Sequence, residues 1–245
     1  MKNYLATVRY NGKQFSGGVK QNNAKTIQGT IEKAIKKVIK NDNFKTIGAS
    51  KTDAGVHAFD QKVLFVLEFE PQLEGFRKAL NSNLRPDIYI ADFVEVSSDF
   101  KIRNNKSKTY TYEINFGEYD LLSNDFEGRI TNKFDVNKFT EAMKLFVGTH
   151  DFKNFCGLKE EEMVDIKTIR EIFEITFELK EHKIKTFITG KGFIRYQIRM
   201  MVGAAAAYAT GKIDLQNISN VLNLVEPKMK YIANPEGLML KEIKY

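Results

Sequence analysis

Residues Gly48–Glu68 read GASKTDAGVHAFDQKVLFVLE, and the fold turns on how this stretch is divided. Its second half carries an unbroken apolar run, Val63 to Leu67, which predicts a strand over 62–69 buried on both faces. Its first half is built from small residues and holds one acid, Asp53, two positions after a cation, Lys51. A short strand over 45–49 leads in. The arrangement is strand, small-residue loop, strand, which places one carboxylate on a loop braced at both ends. Taken alone, an aspartate in such a loop is most often a turn former or a helix cap.

Working outward, Tyr4, Ala6, Val8 and Tyr10 alternate along residues 2–10 and predict a strand that ends at the Asn11-Gly12 turn. Phe15–Gln21 reads as a loop. From Thr26 the period becomes helical, with Ile27, Ile31, Ala34, Ile35, Val38 and Ile39 on one stripe and lysines at 33, 36, 37 and 40 elsewhere. Those lysines suit a solvated face or a phosphate-facing one. Pro71 stops the strand that follows the Asp53 loop. Leu73, Phe76, Ala79 and Leu80 predict a short helix, and 87–96 a further strand. Strand, helix, strand, strand, helix, strand is the order of a ferredoxin-like lobe.

The polar run Asn104-Asn105-Lys106-Ser107 marks a lobe boundary, giving lobes of 1–103 and 104–245. The plan then repeats. Strands are expected at 108–114, 169–179, 183–189 and 238–243. Helices are expected after the cap Asp135, over 193–210 and after the cap Asp214. The fold class is therefore α+β, with two pseudo-symmetric ferredoxin-like lobes and a mainly antiparallel sheet flanked by helices.

The chain has 245 residues, 42% hydrophobic and 28% charged, which suits a soluble globular protein with a real core. Thirty-eight Lys and Arg against 31 Asp and Glu leave +7, a balance that favours an anionic partner such as nucleic acid. Cys156 is the single cysteine, so no internal disulfide forms and a reducing compartment is expected. The first 15 residues lack an apolar leader segment and no run is long enough to span a membrane, so a cytoplasmic protein is expected. The three histidines, 57, 150 and 182, have no ligand-type spacing, which argues against zinc. Phosphate-loop glycine motifs and a G-x-S-x-G elbow are missing, so neither a nucleotide cofactor nor a serine hydrolase is expected. Cys156 has no activating base nearby and reads as packing.

Four segments in order carry a family resemblance. Lys51-Thr52-Asp53-Ala54-Gly55-Val56-His57-Ala58 resembles the catalytic G-R-T-D-A-G-V-H-A run of the tRNA pseudouridine synthase A family. Lys108–Ile114 is similar to its R-x-Y-x-Y-x-I strand, Gly192–Gly203 to its F-x-x-x-x-V-R-x-x-V-G helix, and Asn234–Leu240 to its A-P-x-E-G-L-x-L segment. Smaller matches are Tyr10-Asn11-Gly12 and Gly148–Phe152 followed by Phe155, so the resemblance covers essentially the whole chain.

The resemblance implies an isomerase that converts uridine to pseudouridine in the anticodon arm of tRNA, at family positions 38 to 40, acting as a homodimer without a cofactor and with its active site in a cleft between the lobes. Asp53 matches the family's catalytic aspartate, which attacks C1′ or removes the C2′ proton; both routes need the ionised form. Arg199 matches the arginine that pairs with it, and Tyr110 the tyrosine that stacks on the target base. Leu238 matches an apolar residue lining the base pocket. Lys51 stands where the family usually has an arginine that fills the gap left by the flipped base. Lys keeps the charge and loses the flat fork. Gly17–Gln21 and Phe100–Arg103 also depart from the family's G-W-Q-x-Q and F-H-A-R. These departures leave a diverged, weakly active or inactive tRNA-binding relative as the alternative. A two-carboxylate glycosidase, with Asp60 as the second acid, is a more distant one.

Overall fold

The computed structural model describes residues 1–245, which form ten strands and five α-helices. They group into two compact units: Met1–Lys106 together with Met239–Tyr245, and Ser107–Leu238.

The first unit runs β1 (Lys2–Tyr10), α1 (Ile27–Ile39), β2 (Phe44–Gly48), β3 (His57–Leu67), α2 (Leu73–Leu84) and β4 (Ile88–Val96). The strands lie in the order β4-β1-β3-β2, every pair antiparallel, which is the ferredoxin-like arrangement expected. Tyr4 stands opposite Phe65, and Ala6 opposite Val63. Alternation then sends Tyr4, Ala6, Val8 and Tyr10 into the core. Phe93 of β4 collects the aromatic contacts there, its ring centroid 5.4 Å from Tyr4, 5.3 Å from Phe65 and 5.6 Å from Phe76. Thr26 caps α1 by accepting from the Gly29 N–H at 3.2 Å, and Ile27, Ile31, Ala34 and Ile35 form its buried stripe. The helix stops where Lys40 turns left-handed. Lys33, Lys36 and Lys37 face solvent, and Lys36 is paired with Asp42 at 2.7 Å.

The last strand, β10 (Leu238–Lys244), pairs in parallel with β3, Met239 opposite His57 and Leu240 opposite Ala58. The Asp60 carboxylate fastens it by accepting from the Ile243 N–H at 2.9 Å while holding Lys62 at 2.6 Å. These bonds group Met239–Tyr245 with the first unit, where chain order alone assigned it to the second lobe. The same bonds give Asp60 a structural task.

The second unit holds β5 (Ser107–Asn115), β6 (Gly128–Arg129), α3 (Val136–Lys144), β7 (Gly148–Asp151), β8 (Ile169–Lys180), β9 (Lys183–Gly190), α4 (Gln197–Ala209) and α5 (Leu215–Leu222). Its strands run β5-β9-β8-β7, antiparallel, with β6 parallel to β5. The order β5-β9-β8 repeats the β1-β3-β2 order of the first unit. Asp135 caps α3 through the N–H groups of Asn137 and Lys138, and Asp214 caps α5 through that of Asn217. Phe139, Met143, Phe146, Phe152 and Phe155 are fully buried. Helix α4 starts at Gln197, four residues later than its apolar pattern predicts. Tyr196 adopts a left-handed φ of 65°, and the Gln197 side chain accepts from the Ile194 N–H at 2.9 Å, so 193–196 is a turn.

Glu127 is buried beside β5, 2.7 Å from the Lys183 ammonium and 2.7 Å from the Asn115 amide. Burial alone would raise its carboxyl pKa; the bonds from Lys183, Asn115 and Ser123 more than offset that and hold it below the ordinary range. A depressed folded pKa means stability that is present above the unfolded carboxylate's pKa and lost as pH falls through the folded one. Glu127→Gln should therefore cost about 1–3 kcal/mol in urea unfolding at neutral pH, and the gap to wild type should shrink as the pH is lowered toward the carboxylate range. A gap that widens with acid would contradict this account.

Candidate active-site residues

In the first unit the loop between β2 and β3 is held at almost every residue. Ala49 N–H donates to Lys62 O at 2.8 Å. The buried Gln61 side chain grips Ser50 from both sides, donating to its carbonyl at 2.9 Å and accepting from its N–H at 3.2 Å. Thr52 is buried, with its hydroxyl 2.8 Å from that of Tyr10 and its carbonyl accepting from Gly18 N–H at 3.0 Å. The Val56 N–H returns to Asp53 O at 3.2 Å and closes a tight turn. Gly12 N–H donates to His57 Nδ1 at 3.1 Å. An accepting Nδ1 carries no proton, so the buried ring holds its proton on Nε2. Gly12 has no alternative at its site, because a Cβ there would lie 2.0 Å from Val56 O. Asp53 is left half-buried at the turn, and Lys51 is exposed.

Burial pushes the Tyr10 hydroxyl up to about 12, against the lowering effect of its hydrogen bonds to Thr52 and Gln61. It therefore stays neutral throughout the range in which proteins operate.

In the second unit, Tyr110 lies on β5 opposite Ile188 of β9, buried, with its ring edge-on to Phe193 at 5.3 Å. Phe193 belongs to the turn that precedes α4, so the late helix start is what brings it against Tyr110. Arg199 sits in the first turn of α4. Its Nε donates to Ala233 O at 2.8 Å, its carbonyl accepts from Ala233 N–H at 2.8 Å, and its guanidinium lies 5.0 Å over the Tyr196 ring. The segment tied in this way runs on past β5. Tyr112 Oη donates to Asn234 O at 2.9 Å, Glu113 N–H donates to Gly237 O at 3.0 Å, and Leu238 is buried at the end. Gly237 is required there, since a Cβ would press within 2.7 Å of the Tyr112 ring. Burial holds the Tyr112 hydroxyl well above the ordinary phenol range, opposed by the nearby charge of Arg199.

Lys51 and Asp53 thus share one loop, and Arg199 and Leu238 are joined through 233–238, with Tyr110 two residues from the Tyr112 that this segment crosses. Beyond their place in the family motifs, nothing in the sequence marks Thr52, Phe193 or Tyr112 for a role, and Gln61 lies in none of those motifs. Tyr10 and His57 stand out there only as a core-strand residue and as a histidine without ligand-type spacing. Their partners lie far away in the chain, and only the family motifs hint at them. No group of three His, Cys, Asp or Glu side chains is placed to hold a metal ion. A cavity of about 270 Å³ in the second unit is lined by Tyr112, Gly203 and Asn234 but not by Tyr110, Arg199 or Leu238. No helix is long and apolar enough to cross a membrane.

A family model described as tRNA pseudouridine synthase matches residues 6–104 and 142–245. A tRNA pseudouridine synthase A from Mesoplasma florum is 43% identical over 249 residues, covering 100% of this chain and 99% of its own. Proteins of the same name from Spiroplasma kunkelii and Mycoplasma mycoides are 44% and 42% identical, each across 98% of this chain and over 93% and 97% of their own lengths. The match thus extends over the Asp53 loop, the Arg199 helix and the closing strand alike, and the chain belongs to the tRNA pseudouridine synthase family of isomerases.

Proposed function

We propose that this synthase converts uridine to pseudouridine in the anticodon arm of tRNA, at family positions 38 to 40, with Asp53 as the group that acts on the sugar. One observation supports this most: the hydrogen bonds around residues 49–57 fix the backbone on both sides of a half-buried carboxylate. Fixed geometry is what a reaction at a single ribose carbon demands. The C1′–N1 bond breaks, the uracil turns, and C5 joins C1′ while C5 gives up its proton and N1 gains one. No atom is lost from the nucleotide, and no external oxidant or reductant is required.

In this reading the ionised Asp53 either attacks C1′ or takes the C2′ proton. Arg199 contributes positive charge that favours the ionised carboxylate and the developing anionic base. The Tyr110 ring offers an aromatic face to a uracil taken out of its stack, steadied from the side by Phe193. Leu238 supplies apolar wall, and exposed Lys51 a phosphate contact. A net charge of +7 and the solvent-facing lysines of α1 suit recognition of a folded tRNA by its phosphates and shape. The buried, free Cys156 fits a reducing cytoplasm, and the resemblance to the family adds a homodimer, which light scattering of the purified chain would register as twice the 28.1 kDa chain mass.

Asp53→Asn keeps the size of the side chain and removes its charge. It should lower pseudouridine formation by more than about 1,000-fold while tRNA binding stays within a few-fold of wild type. Near-wild-type turnover in that variant would remove Asp53 from the chemistry. Binding to tRNA should weaken at least about tenfold between 50 and 200 mM salt, and an affinity indifferent to salt would contradict phosphate-based recognition.

A further inference from the structure

Asp53 is bracketed by two hydrogen bonds that originate from one place, the end of β1 and the turn after it. Tyr10, the last residue of β1, meets the Thr52 hydroxyl at 2.8 Å, and Gly12 N–H meets His57 Nδ1 at 3.1 Å. Residue 52 immediately precedes the carboxylate, and the turn closed by Val56 N–H on Asp53 O immediately follows it. Tyr10, Thr52 and His57 are all buried, so none of these bonds competes with water. Neither hydroxyl of the first pair points into solvent or toward an exposed face, and a core threonine with a tyrosine partner is more polarity than packing alone requires.

We propose that Tyr10 and Thr52 are a positioning pair for catalysis: the bond between their hydroxyls sets the direction in which the Asp53 carboxylate leaves the loop. The proposal rests on the reading of Asp53 as the reacting group. Neither Tyr10 nor Thr52 touches the nucleotide in this account. Tyr10 stays a neutral phenol, so the bond persists across the working pH range. A misplacement of about 1 Å at a reacting group lowers a rate by roughly 100-fold, which sets the scale of the effect.

Four variants test it in steady-state and single-turnover assays on tRNA. Tyr10→Phe keeps the ring and removes the hydroxyl; Thr52→Val keeps the shape and removes the hydroxyl. Each should lower kcat about 10- to 100-fold, with KM for tRNA within about twofold of wild type. Retained KM also reports that the variants are folded. Thr52→Ser, which restores a hydroxyl, should recover most of the rate lost in Thr52→Val. The double variant Tyr10→Phe/Thr52→Val should be no slower than Tyr10→Phe alone, because Tyr10→Phe already removes the bond to Thr52 together with the one to Gln61. The proposal is overturned if either single keeps wild-type kcat, if the singles raise KM and spare kcat, or if their losses multiply in the double variant. Asp53→Asn run alongside separates the two readings. An inactive Asp53→Asn with a fully active Tyr10→Phe sinks the positioning pair alone, and an active Asp53→Asn sinks both.

Discussion

The register of β1 against β3 is the constraint from which the proposed chemistry in the first unit follows. Ala6 stands opposite Val63 and Tyr10 opposite Ala58, with a shift in register between Val8 and Tyr10. Strand side chains alternate, so a slip of one residue would turn Tyr4, Ala6 and Val8 out of the core and expose them to water. Burial of those side chains therefore locks the pairing. The locked pairing in turn delivers Tyr10 and Gly12 to Thr52 and His57. The hydrophobic core and the placement of Asp53 are consequences of one pairing, which is why a loop of small residues can hold a carboxylate steady. Apart from Ala49, the loop's own buried side chains are Thr52 and Val56. Its order comes from hydrogen bonds supplied by neighbouring strands and turns.

The second unit solves a similar problem in another way. There the fixed element is β5, and the segment 233–238 is laid over it by the Tyr112–Asn234 and Glu113–Gly237 bonds. Arg199 is tied to the same segment by a reciprocal pair of bonds with Ala233. The reciprocal pair fixes both the backbone and the side chain of Arg199 against residue 233. The left-handed Tyr196 carries part of this arrangement. It delays α4, places Phe193 beside Tyr110, and puts its own ring under the Arg199 guanidinium.

Much of the architecture was legible from periodicity. The alternation of residues 2–10, the apolar run 63–67 and the caps Thr26, Asp135 and Asp214 each report a local preference that survives packing. What periodicity could not carry was anything settled by partners remote in the chain. The start of α4 depends on a backbone turn at Tyr196 that its apolar neighbours mask. β6 and β7 are two and four residues long, too short for alternation to register. The parallel pairing of β10 with β3 joins residues more than 180 apart, and chain order suggested the other lobe. The candidate reactive residues were legible through four ordered motifs and not through any pattern of hydrophobicity. The Tyr10–Thr52 bond spans 42 residues and becomes visible only once the strands are paired.

Whether this chain makes pseudouridine in the anticodon arm of tRNA is read out by mapping pseudouridine in bulk tRNA from cells with and without the gene, and after the gene is restored. Modification at positions 38 to 40 should disappear with the gene and return with it, while pseudouridine elsewhere in tRNA is unchanged. An unaltered pattern at those positions, or a loss confined to another arm of the tRNA, would contradict that reading.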